Sequence, residues 1–423
     1  METQKVAVII AGAVSLGSYE AGALTELLYA LDTLNQDEDG DNPKYELDVL
    51  TGGSAGAMTA AMVARITMSN YPNGKSNLFQ AWVKEVNLIR LMQDPPANAL
   101  LSKTIIYNIA RTYLIEDPPI VQPASFAPQT LRLSAALSNM NGIDYSVPYT
   151  HATGEARKFV STAFADLERF MMTIDDQTDW SQVAKAVVAS GNFPVAFQPE
   201  ILRREMTDYP YAKPEDNDFL PEHLAFLDGG IFNNEPIREA VTQAAIADGG
   251  IVDPNRIFIL IDPNMNRSSQ NRAIPQDIPL EKQIMRLIKM VLGESAARDW
   301  MQAQKKNAQL DWHTHLIEIL GSLIPTDVPD SVGTELTAET NRIVNHKRDL
   351  FPERYPADYL EKALAKIRNR HGTIHNGLST RQQDVFEQLV FVVNNVSGLQ
   401  NKSPIQLSFI GSDKEKTAGD QLF

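Results

Sequence analysis

The sequence predicts an α/β fold: a mainly parallel central sheet flanked by helices, followed by a mainly helical C-terminal region. Three observations carry this reading. Strand and helix signals alternate through the first 60 residues. "NRIFILID" (255–262) has the apolar run of a strand buried on both faces, and after Asn271 helical spacing replaces strand character. The expected division is an α/β domain over 1–270 and a helical region over 271–423, serving as lid, packing surface or interaction element.

In chain order, "KVAVII" (5–10) reads as the first strand, and "SYEAGALTELLYALDTL" (18–34) as a helix with Leu24, Leu27, Leu28 and Leu31 at helical spacing. An acidic loop, "NQDEDGDNPK", leads into "YELDVLTG" (45–52), a second strand followed by a helix of small residues. This βαβα order predicts parallel strands joined by right-handed crossovers. Residues 76–115 read as helices broken at Pro95-Pro96, and "TLRLSAALSNMNG" (130–142) and "KFVSTAF" (158–164) as strands. "WSQVAKAVVASG" (180–191) reads as a helix and "LAFLDGG" (224–230) as a strand with a turn. Beyond Asn271, residues 280–310 form an amphipathic helix with Ile284, Leu287, Ile288, Val291 and Leu292 on one face. Helices at 354–369 and 380–398 and a strand-like "IQLSFIG" (405–411) complete the expectation.

Composition narrows the function. The 423 residues include no cysteine, which excludes disulfides, thiolate catalysis and cysteine-ligated zinc. A net charge of −15 argues against a nucleic-acid partner, because no excess of Lys and Arg neutralises phosphates. The N-terminal apolar run, Val6 to Ala11, is too short for a signal-peptide core or a membrane span. The chain is expected to be cytoplasmic, with any membrane contact peripheral.

Three stretches concentrate the chemistry. In "TGGSAGAM", Ser54 stands between Gly52-Gly53 and Ala55-Gly56, after a strand and before a helix. Small neighbours permit a sharp turn that lifts the hydroxyl above the sheet, and the helix aims its N–H groups at developing negative charge. A purely structural turn is equally open on the motif alone. In "AGAVSLG" (11–17), Gly12 and Gly17 frame a loop whose N–H groups can face an anion. Dinucleotide and Walker-type readings fail on spacing, which leaves an oxyanion hole or a structural loop. In "FLDGGIFNNEP", Asp228 precedes Gly229-Gly230, either as an Asp-Gly turn or as a carboxylate that takes the proton of Ser54.

Of seven histidines, none has a setting like that of a hydrolase triad. His313 and His315 are two apart and would not share a helix face, and His371 and His375 lie in a loop-like stretch with Gly372 and Gly377. Their absence from any strand end favours a serine–aspartate pair. His151 and His223 are the first histidines to consider if Asp228 is not the base.

Taken together, these motifs resemble the patatin-like phospholipase family, which has a glycine-rich oxyanion loop, a G-x-S-x-G elbow and a D-G-G/A aspartate. The elbow is Gly52-Gly53-Ser54-Ala55-Gly56 and the aspartate motif Asp228-Gly229-Gly230. "ASGNFPVAFQP" is similar to the family's A-S-x-x-x-P segment through Ala189, Ser190 and Pro194, and "GSYEAGAL" to the helix start after the loop. The resemblance covers residues 5–265. It departs in the loop, where Leu16 stands in place of the family's basic residue. It implies Ser54 as nucleophile, Asp228 as base and an oxyanion hole from Gly12, Ala13, Val14, Gly17 and Ala55. It also implies lipid or ester substrates and no metal or cofactor. The alternatives are an α/β-hydrolase with a triad, and a non-catalytic acyl-lipid- or partner-binding protein.

Overall fold

The structure is a computed structural model that describes residues 3–13, 17–36, 43–69, 74–116, 122–150, 156–174, 178–209, 212–217, 221–250, 252–253, 255–263, 278–350, 356–397 and 407–409. It begins with β1 (Thr3–Ile10), α1 (Gly17–Gln36), β2 (Lys44–Gly52) and α2 (Ala55–Ser69). Short helices follow: α3 (Gly74–Phe79), α4 (Leu88–Leu91) and α5 (Thr104–Ala110), with π-helical turns at Gln80–Glu85 and Arg111–Ile115. Next come β3 (Thr130–Thr150), β4 (Ala156–Thr173), α6 (Trp180–Ser190), β5 (Glu200–Arg203) and β6 (His223–Asp228). The chain continues through α7 (Ile237–Ala247), β7 (Ile257–Ile261), α8 (Leu280–Leu323) and α9 (Asp330–Leu350). It closes with α10 (Tyr359–Arg370), α11 (Gly372–His375), α12 (Thr380–Ser397) and β8 (Leu407–Phe409).

The strands form one sheet in the order β5-β6-β3-β2-β1-β7-β8, with β4 on β3. Its centre is parallel, as expected: β1 pairs with β2 and β7, β2 with β3, and β7 with β8. The pairs β3–β4, β3–β6 and β5–β6 are antiparallel. β1 and β2 are buried from Val6 and Leu47 onward, which fits strands covered on both faces. α2 is buried from Gly56 to Ser69, so no polar face is needed and its Ala, Gly and Thr residues let it lie close against the sheet. Leu24 and Leu28 of α1, Met62 of α2 and Val187 of α6 join the strand side chains in the main core.

Two departures from the sequence reading matter. β3 and β4 make a hairpin far longer than the two short strands expected, with residues 143–150 and 156–163 paired beyond the point where β2 ends. The helix at Asp330–Leu350 was not anticipated, because its mean hydropathy is low and its charged residues mask the apolar spacing. On the expected apolar face of α8, Leu287 is exposed, and Ile284, Ile288, Val291 and Leu292 lie outside the described side chains.

By contacts the chain divides into one unit of residues 1–248, 255–303 and 405–423 and a second of 249–254 and 304–404. The larger segment of the second unit, 304–404, lies within the region expected to be helical and begins inside α8 rather than at 271, while 249–254 comes from the expected first domain. The second unit has its own core around Ile317, Val344, Phe386 and Val390, and His375 is buried there against Glu387 at 2.7 Å. No described helix is long and apolar enough to cross a membrane.

The parallel centre is pinned by a buried ion cluster. Arg256, immediately before β7, reaches across β1 to Asp48 of β2 and also binds Asp248 at 2.7–2.8 Å. Its side chain is wholly buried, and Asp48 is nearly so. Removing the cation leaves Asp48 without compensation inside the protein. Arg256→Ala is therefore expected to lower unfolding free energy by about 3–5 kcal/mol, read from urea denaturation.

Candidate active site

The site is made by two strands that point at each other. β4 follows β3 along one edge, pairing with the same residues that pair with β2 and β6, so β2 and β6 must share the other edge. Gly52 at the end of β2 lies opposite Ala135, and Asp228 at the end of β6 lies opposite Leu137. β2 runs parallel to β3 and β6 antiparallel, so their carboxyl ends meet head-on. Two positions of β3 separate them, roughly 7 Å at strand rise.

Ser54 caps the first of these strands with φ of +52°, a left-handed conformation that costs a non-glycine residue about 1–2 kcal/mol. Neighbouring bonds hold it there. The Ser54 N–H donates to Ser190 Oγ at 3.0 Å, and the Ser190 hydroxyl donates to the Ala136 carbonyl at 2.6 Å. The Gly53 N–H donates to Ile10 O at 3.2 Å. α2 starts at the next residue and packs on the end of β1 so tightly that a Cβ on Gly56 would lie 2.5 Å from the Ile10 and Ala11 carbonyl oxygens. The G-x-S-x-G spacing is thus a packing requirement here as well as a turn signal.

Asp228 ends the second strand. Its N–H donates to Asn192 O at 3.0 Å, and its carbonyl accepts from Ser138 Oγ at 2.6 Å. The carboxylate Oδ2 accepts the Ser54 hydroxyl at 2.6 Å, and Oδ1 accepts the Gly230 N–H at 2.7 Å. Burial pushes its pKa up to about 6, against the Ser54 and Gly230 hydrogen bonds, which pull it down. A Cβ on Gly229 would collide with the Ala136 carbonyl at 1.9 Å, so the turn after Asp228 can approach β3 only as glycine.

The loop after β1 lies beside the serine. A Cβ on Gly12 would fall 3.0 Å from Ser54 Cβ and 2.3 Å from Asn234 Oδ1. The Gly12 N–H is occupied, donating to the Asn234 carbonyl at 2.9 Å. This is a correction to its expected part as an oxyanion donor: in this structure Gly12 ties the loop to the turn after Asp228. Among the described residues the N–H groups of Ala13 and of Ala55, the first residue of α2, have no partner. Gly17 starts α1, packed against Trp82, and Val14 and Leu16 lie outside the described residues. Pro194 is half-buried in the turn after α6, four positions from Ser190.

No described histidine hydrogen-bonds Ser54 or Asp228. His223 occupies the opposite end of β6, paired with Arg203, and His151 lies outside the described residues. The sequence marks Ser190 only as part of a motif, and its place as anchor of the Ser54 amide follows from the fold. Asn192 and Asn234 act through their carbonyls, a contribution that residue type does not signal. No group of three or more metal-binding side chains occurs among the described residues.

A family model described as patatin-like phospholipase matches residues 8–241, more than half of the chain, and includes Ser54 and Asp228. An uncharacterized protein of Sinorhizobium fredii is 24% identical, the match covering 55% of this chain and 44% of the relative, so the chain spans less than half of that protein's length. The crystal structure of VipD from Legionella pneumophila aligns with 94% of this chain and 91% of its own, at 11% identity and a TM-score of 0.30. The chain belongs to the patatin-like phospholipase family.

Proposed function

We propose that the chain is a serine acyl hydrolase that cleaves carboxylic esters of lipids, of phospholipase A or lipid acyl hydrolase type, through a Ser54–Asp228 dyad. The observation that carries this reading is the 2.6 Å hydrogen bond from Ser54 Oγ to the buried Asp228 carboxylate, held on a left-handed turn. Asp228 removes the hydroxyl proton as Ser54 attacks the ester carbonyl, and a tetrahedral oxyanion forms. The unpartnered N–H groups of Ala13 and Ala55 receive that charge, helped by the positive end of α2. The proton passes to the departing alcohol and leaves an acyl-enzyme. Asp228 then activates water for deacylation. Desolvation makes Asp228 a stronger base than a free carboxylate, which suits general-base work near neutral pH.

Lipid as the substrate class is supported by the family and by an apolar rim. Leu88, Ile89, Met92, Leu100 and Val195 are each more than half exposed. A backbone hydrogen bond joins Leu100 N–H to Val195 O at 3.2 Å, and another, Ser102 N–H to Leu91 O at 2.7 Å, ties the chain just after Leu100 to the short helix that carries Leu88 and Ile89. Val195 follows directly from Ser190–Pro194, so one end of this group adjoins the segment that anchors the nucleophile. Grouped exposed apolar side chains favour transient contact with a lipid surface. A second reading, an acyl-lipid-binding protein without turnover, draws on the occupied Gly12 N–H. Fluorophosphonate labelling of Ser54 separates the two.

Ser54→Ala is expected to abolish both that labelling and p-nitrophenyl ester hydrolysis. Asp228→Asn should lower kcat by about a hundredfold or more. Undiminished turnover in Ser54→Ala protein sinks the proposal.

The pH dependence has two parts. Asp228 must be ionised to act, so kcat/KM should rise with pH through an inflection near 6. For stability the sign is opposite. Its folded pKa is raised from 3.8 to about 6, so stability is full below pH 4 and falls as pH rises through 6. The loss at pH 8 is about 3 kcal/mol at 1.36 kcal/mol per unit. Asp228→Asn should therefore melt higher than the parent at pH 8, with the gap closing at pH 4.

Substituting the rim tests the lipid assignment. Ile89→Asp should slow hydrolysis of vesicle lipid about tenfold while leaving soluble esters unaffected, since burying that side chain in lipid is worth about 1.5–3 kcal/mol. Equal loss on both substrates would argue against a surface-docking function.

A further inference from the structure

Within the second unit, α8, α10 and α12 line a cavity of about 780 Å³. Its charge is one-sided. α10 presents Lys362, Lys366 and Arg370 to it, each four residues after the last, so the three cations form a column on one helix face. Like charges at this spacing destabilise a helix unless something neutralises them. Lys362 is relieved by Asp358 at 2.7 Å, but Lys366 forms no ion pair among the described residues. Among the described residues no Asp or Glu lines the cavity.

This is not the habit of the rest of the unit. Residues 304–404 hold twelve Lys and Arg and twelve Asp and Glu, and three of the cations outside the cavity meet carboxylates. Arg342 pairs with Glu339, Arg368 with Glu387, and Arg381 with Asp330. Lys366 differs in having no such partner among the described residues, within a chain whose net charge is −15.

A second observation points into the same space. His313 of α8 lines the cavity and is 6% exposed, yet its Nε2 has no hydrogen-bond partner. A buried ring nitrogen without a partner costs free energy that a ligand can recover. Burial and the nearby Arg370 hold the His313 pKa below its ordinary value. Burial, Arg370 and His313 push His371 down to about 4, with Glu318 opposing weakly. Both rings are thus neutral at pH 7, able to donate an N–H without adding charge. Tyr359, Ala363 and Phe391 supply an apolar wall, which suits an organic phosphate better than a bare ion.

We propose that this cavity binds a phosphomonoester, with Lys366 and Arg370 pairing with its oxygens and His313 Nε2 donating to a third. Two cations match the two charges of the ligand, and charge-assisted bonds of this kind are the strong ones. The same group occurs on a lipid, as in phosphatidic acid, and free in solution, as in glycerol 3-phosphate. The site is independent of the dyad, which lies wholly in the first unit.

The test uses the full chain in a Ser54→Ala background, so that lipid is not consumed. Glycerol 3-phosphate is titrated by calorimetry, and phosphatidylcholine vesicles with and without phosphatidic acid are co-sedimented. Binding to either phosphomonoester is expected, and Lys366→Ala/Arg370→Ala should weaken it at least about tenfold. Both side chains are exposed, so this variant should fold, and Arg342→Ala, which alters an exposed pair elsewhere, should bind as the parent does. Response to phosphatidic acid vesicles alone assigns the phosphate to a lipid headgroup, and response to glycerol 3-phosphate assigns it to a soluble ester. Equal affinity in parent and double variant, or no binding of either ligand by the parent, overturns the proposal.

Discussion

The single edge of β3 shared by β2 and β6 is the constraint from which the rest follows. A strand edge offers a fixed ladder of hydrogen-bonding groups, so two strands seated on it are aligned to within the spacing of one residue. Because one runs parallel and the other antiparallel to β3, their final residues approach each other. A serine and a carboxylate 174 positions apart in sequence are thereby brought to hydrogen-bonding distance without any long side chain bridging the gap. Short side chains on strand ends have few rotamers to lose, and such a pair is held more rigidly than one carried on loops.

The two halves of the pair are both held against a local preference. Ser54 adopts a backbone conformation that glycine would accept more readily, and Asp228 holds a carboxylate that is almost wholly buried. Each is destabilising by an amount comparable with a sizeable share of a domain's net stability. The surrounding structure offsets this through contacts that do no chemistry: the Ser190 relay to Ala136, the Asn192 and Asn234 carbonyls, and the dense seat of α2 on β1. Positions that look like motif decoration are the supports of a strained site.

Much of this was legible in the sequence because local chemistry carried it. The elbow and D-G-G stretches announce themselves through glycine spacing, and the parallel centre through apolar runs in "KVAVII", "YELDVLTG" and "NRIFILID". What was not legible depends on partners distant in the chain. The outer half of the β3–β4 hairpin pairs only with itself, so its residues lack the apolar signature of a covered strand. Whether a backbone N–H is available cannot be read from a residue's name, and so Gly12 was assigned a task that its bond to Asn234 precludes in this structure. The charged column of α10 is visible as spacing, but that it lines a cavity is a tertiary fact.

The last strand carries a consequence for biosynthesis. β8 lies parallel to β7, with Leu407 opposite Phe258, so about 150 residues separate the partners. Until the C-terminal segment leaves the ribosome, β7 has an open edge of apolar, hydrogen-bond-hungry backbone. At about 5–20 residues per second that interval lasts many seconds, long on the scale of aggregation. Over that interval the edge is open to pairing with other chains, and truncations that remove β8 would prolong the exposure indefinitely.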